Sequence, residues 1–231
     1  MTDWLAPQEW AAVALSLKVS FWATLASLPV AILTALALAR GQFPGKQFLN
    51  GIVHLPLILP PVVTGYLLLI TFGKRAPVGA FLHDVFGIVL AFRWTGAALA
   101  AAIMAFPLMV RAIRLAIEGV DPRLEQAAAT LGASRLSVFT TITLPLILPG
   151  IIAGAVLAFA KAMGEFGATI TFVSNIPGQT QTLPSAIYAF LQVPGGEASA
   201  LRLVAVSVVL AMAALLASEA LARRAARKVR G

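Results

Sequence analysis

The chain has 231 residues, 60% hydrophobic and only 11% charged, with a mean hydropathy of +0.92, whereas soluble domains carry roughly 45–50% apolar and 25% charged residues. That composition is an integral membrane protein's. The absence of cysteine excludes disulfides, thiolate-bound metals and thiol catalysis, and two widely separated histidines leave little for any other metal site.

The first apolar segment covers about 10–38 with Lys18 its only charge, and it stops at "ARGQFPGK", where Arg40, Gly41 and Pro44 signal a turn. No basic n-region precedes it, so the run is expected to be retained rather than cleaved as a signal peptide. The segment exceeds the ~20 residues a bilayer requires, which lets Lys18 sit near an interface. A second segment, about 52–72, opens with "HLPLILPPVVTGY", and Pro56, Pro60 and Pro61 should bend or break it near its start. Residues 73–93 read as a connection with a short interfacial helix. The third span covers about 94–111, rich in Ala that permits close helix packing. The fourth, about 146–173, holds Lys161 and Glu165, and the fifth, about 203–221, ends at the basic tail 222–231.

The expected fold is therefore an all-α integral membrane protein of about five transmembrane helices in one domain. Five spans put the termini on opposite sides. With the C-terminus in the cytoplasm, Arg40, Lys46, Arg111, Arg114, Arg123, Arg135 and five tail cations lie inside, against Lys74, Arg75, Arg93 and Arg202 outside. That is the positive-inside pattern, so the N-terminus is expected outside and residues 112–145 in the cytoplasm. A basic tail following an apolar span suits a lipid flank, not a nucleic-acid groove. No nucleic-acid partner is expected.

The chain offers no energy source of its own. "GQFPGKQ" lacks the spacing and the Ser or Thr of a phosphate-binding loop. Glu165 is the only acid well inside a span, too little for a proton relay. No nucleophile with a base and no HExxH frame appears, so catalytic, metal and cofactor residues are all expected to be none.

Between spans three and four, Asp121-Pro122 suits a helix N-cap and first position, and "LEQAAATL" sets Leu124, Ala127, Ala128 and Leu131 at helical spacing. Spacing alone allows either a partner's groove or the lipid headgroups to receive that stripe. The stretch resembles the coupling loop of ATP-binding-cassette importer permeases, whose pattern is Glu-Ala-Ala, three residues, Gly, nine residues, Ile-x-Leu-Pro. Ala127, Ala128, Gly132, Ile142, Leu144 and Pro145 fall in register, while Gln126 stands at the Glu position with Glu125 one residue earlier. Along nearly its whole length the chain is similar to the molybdate branch of that family, through "HLPLILPPVVTGYLLL", "FPLMVRAIRLAIEGVDPRLEQAAATLGA" and "GEFGATITFVSNIPGQTQTLPSAIY".

The resemblance implies a non-catalytic permease in the bacterial inner membrane that pairs with a second copy of itself. Two cytoplasmic ABC ATPase subunits would drive it and an extracytoplasmic molybdate-binding protein would feed it. Sulfate or tungstate is the alternative cargo within the family, and a membrane enzyme or an assembly protein without an ATPase is the alternative outside it. Gly132 serves either as the turn between two short helices or as an ordinary C-cap. Glu165, with Lys161 four residues earlier and Met163 beside it, reads as an outer gate or packing network near the dimer interface, or as a charge simply neutralised on one helix face.

Overall fold

The computed structural model describes residues 4–230, with the backbone alone for Ser218 and residues 222–230, so the side chains of the basic tail lie outside the described residues. Backbone groups in lipid must be satisfied within a segment, and the chain meets this with helices throughout. They are α1 (Pro7–Arg40), α2 (Lys46–Ile58), α3 (Pro61–Phe72), α4 (Pro77–Phe86), α5 (Trp94–Glu118), α6 (Pro122–Thr130) and α7 (Arg135–Val138). A π turn (Phe139–Thr143) follows, then α8 (Leu144–Met163), α9 (Gly167–Val173), α10 (Leu183–Leu191) and α11 (Glu197–Arg230).

Among the described residues, four helical stretches are long and apolar enough to cross a membrane, and a fifth if α2 and α3 form one broken span. That pair bends by 114° at Leu59-Pro60. Pro60 and Pro61 lack the N–H groups that would continue α2, and the residue before a proline is pushed out of the α region, as Leu59 is at ψ 142°. The prolines thus break the segment in its middle, rather than near its start.

The third segment runs past residue 111 to Glu118, because "RAIRLAIE" keeps the helical period and buries Ile113 and Ile117. The fourth is interrupted: α8 ends at Met163, and Gly164 to Phe166 separate it from α9. The fifth begins at Glu197, earlier than the hydropathy predicted, because polar Ser199 and Arg202 sit in its first turns.

α5 is the centre, packed between α1 and α8. The contact is made of small residues, including Ala31, Ala35, Ala97, Ala100, Ala101 and Ala158, with Met109, Ile113, Ile117 and Ile147 filling the α6 end of the bundle. A Cβ on Gly150 would collide with the Ala116 side chain, so α8 can lie this close to α5 only with glycine there. At the opposite end Leu5, Val13, Leu183, Ala186 and Leu203 form a second cluster joining the start of α1 to α10 and α11.

Candidate coupling site and gate

The short helix α6 is capped as its sequence requires: Asp121 Oδ1 accepts from Arg123 N at 2.9 Å and Pro122 occupies the first position. It ends at Gly132 with φ +86°, where Gly132 N donates to Ala129 O at 3.0 Å and Ala133 N to Ala128 O at 3.1 Å. Turn and C-cap are therefore one feature, and Ser134 starts α7 by accepting from Ser137 N at 3.3 Å.

α6 has no buried residue. Leu124 is 48% exposed and Leu131 89%, with Ala127 exposed and Ala128 half-buried between them. At 100° per residue these four share one face, while Pro122, Glu125, Gln126 and Ala129 share the opposite one and line a cavity of about 550 Å³ against Leu36, Arg40 and Phe139. Gln126 is exposed.

Glu125 turns inward. Its Oε1 accepts from Thr143 Oγ1 at 2.7 Å and its Oε2 lies 3.4 Å from Arg40 Nη2. Arg40, the last residue of α1, also donates to Ile117 O at 3.4 Å, which already accepts from Val120 N at 3.2 Å, and to Val120 O at 3.3 Å, just past the end of α5. Neither Arg40 nor Thr143 was singled out by the sequence pattern, which records spacing along the chain and not pairs 85 or 18 residues apart; the acid displaced from position 126 was the only available hint.

Ile142 lies in the π turn, Leu144 and Pro145 begin α8, and all three are half-buried. Thr140 and Thr141 hydroxyls donate back to Leu136 and Ser137 carbonyls at 2.6–3.2 Å, which competes with the regular ladder and accompanies the widened turn.

Near the other end, Lys161 and Glu165 come together: Lys161 Nζ is 2.9 Å from Glu165 Oε2. Glu165 does not continue the α8 helix, however. It sits in the break, 3% exposed, and its Oε1 accepts from Ala168 N at 3.0 Å in the first turn of α9. Met163, half-buried, ends α8 beside it. The carboxylate thus joins two helix segments, and α9 packs on α3 so closely that a Cβ at Gly65 would lie 2.5 Å from Ala168 O.

A second ion pair was not anticipated. Glu9, fully buried, receives Arg202 Nη2 at 2.6 Å, Arg202 Nε at 3.3 Å and Ala6 N at 2.7 Å, which fastens α1 to α11 at the end remote from α6. At that end Lys18 Nζ stands 3.8 Å over the Trp94 ring, on a cavity of about 610 Å³ shared with Arg93 and Gln179.

Residues 7–230 match the model of the family described as "Binding-protein-dependent transport system inner membrane component". The chain belongs to this family. It is an ABC importer permease, a multi-pass inner-membrane component of a transport system that depends on a binding protein. The chain is 64% identical over 219 residues to the molybdenum transport system permease protein ModB of Escherichia coli (strain K12), covering 95% of this chain and 96% of that one. Against ModB of Haemophilus influenzae identity is 54% over 221 residues, with 96% of both chains covered. Among solved structures, a bacterial ABC transporter involved in import of the acidic polysaccharide alginate superposes with a TM-score of 0.74 at 22% identity, over 95% of this chain and 80% of that one. This last likeness concerns the fold.

Proposed function

We propose that the chain is the permease subunit of an ATP-driven importer that moves molybdate into the cell. The observation that carries this is the 64% identity, end to end, with a molybdenum transport permease. The permease hydrolyses nothing itself. It works as a pair of copies, takes molybdate from an extracytoplasmic binding protein, and is driven by two cytoplasmic ATPase subunits. The membrane domain spans the whole chain with its N-terminus outside, so the α6 end is cytoplasmic and residues 174–200 face the binding protein; the eleven-to-four cation asymmetry supports that orientation.

On this reading the exposed face of Leu124, Ala127, Ala128 and Leu131 enters a groove of the ATPase, with Gly132 turning the chain and Ile142, Leu144 and Pro145 returning it to the membrane. The ATP-bound subunits must favour one permease state over another, since equal affinity for both would shift nothing. Lys161, Met163 and Glu165, at a helix break packed against a second broken helix, form part of the gate. Glu165 would repel an oxyanion, so it acts on the gate's geometry and not as a ligand.

The test is uptake in proteoliposomes holding permease, ATPase and binding protein. Labelled molybdate should accumulate with ATP and fail to without it. Accumulation of sulfate or tungstate in preference to molybdate overturns the cargo assignment. In the cysteine-free background, Ala127→Cys should form a disulfide with a cysteine placed along the ATPase groove; an intact complex with no crosslink at any groove position overturns the coupling face.

A further inference from the structure

Apolar packing holds α6 only loosely: none of its residues is buried, a cavity lies behind it, and Leu124 lines a second one with Leu115, Leu146 and Pro149. Among the described residues, the side-chain hydrogen bond and ion pair that join α6 to the membrane helices are those of Glu125. One carboxylate reaches Thr143 Oγ1 at 2.7 Å, in the π turn that heads α8, and Arg40 Nη2 at 3.4 Å, the last residue of α1. Arg40 extends the connection to the end of α5 through the Ile117 and Val120 carbonyls. Thr143 is 3% exposed, and the side chains of Arg40 and Glu125 are 34% and 25% exposed, so these are partly desolvated bonds, stronger than equivalents in open water.

From this geometry we infer that Glu125 is a positioning residue facing the membrane helices and does not contact the ATPase. Arg40, Glu125 and Thr143 form a strut that divides any displacement of α6 between α1 and α8. The inference rests on the coupling reading of α6 and goes beyond it, because it assigns the acid to the face opposite the docking stripe. A docking acid would lie with Leu124, Ala127 and Leu131 on the outer face; Glu125 lies about 100° round the helix from Leu124, on the cavity side. The strut also accounts for Gln126 in the acid's usual place: the charge is one residue earlier, where it meets Arg40. A π turn is a suitable receiver, because such turns interrupt the regular ladder and cluster at functional positions.

The experiment uses the complete transporter in proteoliposomes and reads molybdate imported per ATP hydrolysed, with the Ala127→Cys groove crosslink as a measure of docking. Glu125→Gln and Thr143→Val should each lower import per ATP by about twofold to thirtyfold, the range for residues that carry coupling without touching either ligand. Crosslinking should persist in both, and Thr143→Ser, which restores the hydroxyl, should restore the ratio. Glu125→Ala removes the bond that Thr143→Val removes, so adding Thr143→Val to Glu125→Ala should lower the ratio no further. An unchanged ratio in Glu125→Gln and Thr143→Val, with the crosslink intact, overturns the strut. So does loss of the crosslink in Glu125→Gln alone, which would return Glu125 to the docking face. Absence of the crosslink in the parent complex instead removes the coupling reading, and the strut falls with it.

Discussion

Replacing Lys161 by methionine is the most demanding test of the break at residues 164–166. The substitution leaves the Glu165 carboxylate, with a side chain 2% exposed, holding one bond among the described residues, that from Ala168 N at 3.0 Å. Breaking a buried pair from one side costs about 3–5 kcal/mol, and because the Lys161 side chain is 32% exposed, the lower end applies: about 3 kcal/mol. For a chain of this length each kcal/mol shifts the thermal midpoint by about 2–4 °C, so Lys161→Met should unfold about 6–12 °C earlier in detergent. Glu165→Gln is nearly isosteric and keeps an acceptor for Ala168 N. It forfeits only the difference between a charge-assisted and a neutral bond, about 1 kcal/mol or about 2–4 °C. The double variant should lie closer to Glu165→Gln than to Lys161→Met, because no unpaired charge remains buried. Fluorescence-detected thermal unfolding reads all three. Greater damage from Glu165→Gln than from Lys161→Met, or strict additivity in the double variant, refutes the reasoning. A gate further requires Glu165→Gln to alter basal ATP hydrolysis or import.

Arg202→Met strips the fully buried Glu9 of both its guanidinium bonds and should cost about 3 kcal/mol by the same argument, and adding Glu9→Gln should recover most of the loss in the same unfolding assay. At Gly132 nothing lies within 4 Å of an added Cβ, so alanine meets only the backbone penalty at φ +86°, about 1–2 kcal/mol. Import per ATP should fall in Gly132→Ala and recover in Gly132→Asn, since asparagine tolerates that region. Gly150→Leu places a Cβ against Ala116 and should destabilise by about 1–3 kcal/mol through overpacking, a loss that Ala116→Gly relieves in part. A Gly150→Leu protein with an unchanged thermal midpoint would mean that α5 and α8 are not closely packed.

Legibility followed the range of the interaction. Hydropathy and composition identify α1, α5, α8 and α11 because each is a local property of many consecutive residues. The α6 cap at Asp121-Pro122 and the left-handed Gly132 were readable because they are settled within one helical turn. The end of α5 is not legible in the sequence because Arg111 and Arg114 look like a membrane boundary; in the fold Arg114 pairs with Glu118 at 2.7 Å and with Asn50 Oδ1 at 3.2 Å, and the helix continues. The break after Met163 is hidden because "KAMGEFGA" keeps an apolar average, while the carboxylate that stabilises it bonds forward to Ala168. Arg40 with Glu125, and Glu9 with Arg202, join residues remote in the chain, and no spacing rule on a single sequence records such a pair.

The two polar constellations are not independent in space. Thr143 closes the strut, Glu165 lies just past Met163, and between them α8 runs from Leu144 to Met163 as twenty residues of helix, about 30 Å at 1.5 Å per residue. A tilt of about 5° about the middle of such a rod moves each end by about 1 Å. The bonds at the far end, 2.9 and 3.0 Å, fall within eight residues of chain, so the end of the rod carries them with it and the displacement is taken up where α9 packs on α3. A displacement at Thr143 that tilts α8 would therefore reach the α3–α9 contact with the Glu165 bonds intact, and transmission of that kind is what the proposed gate requires.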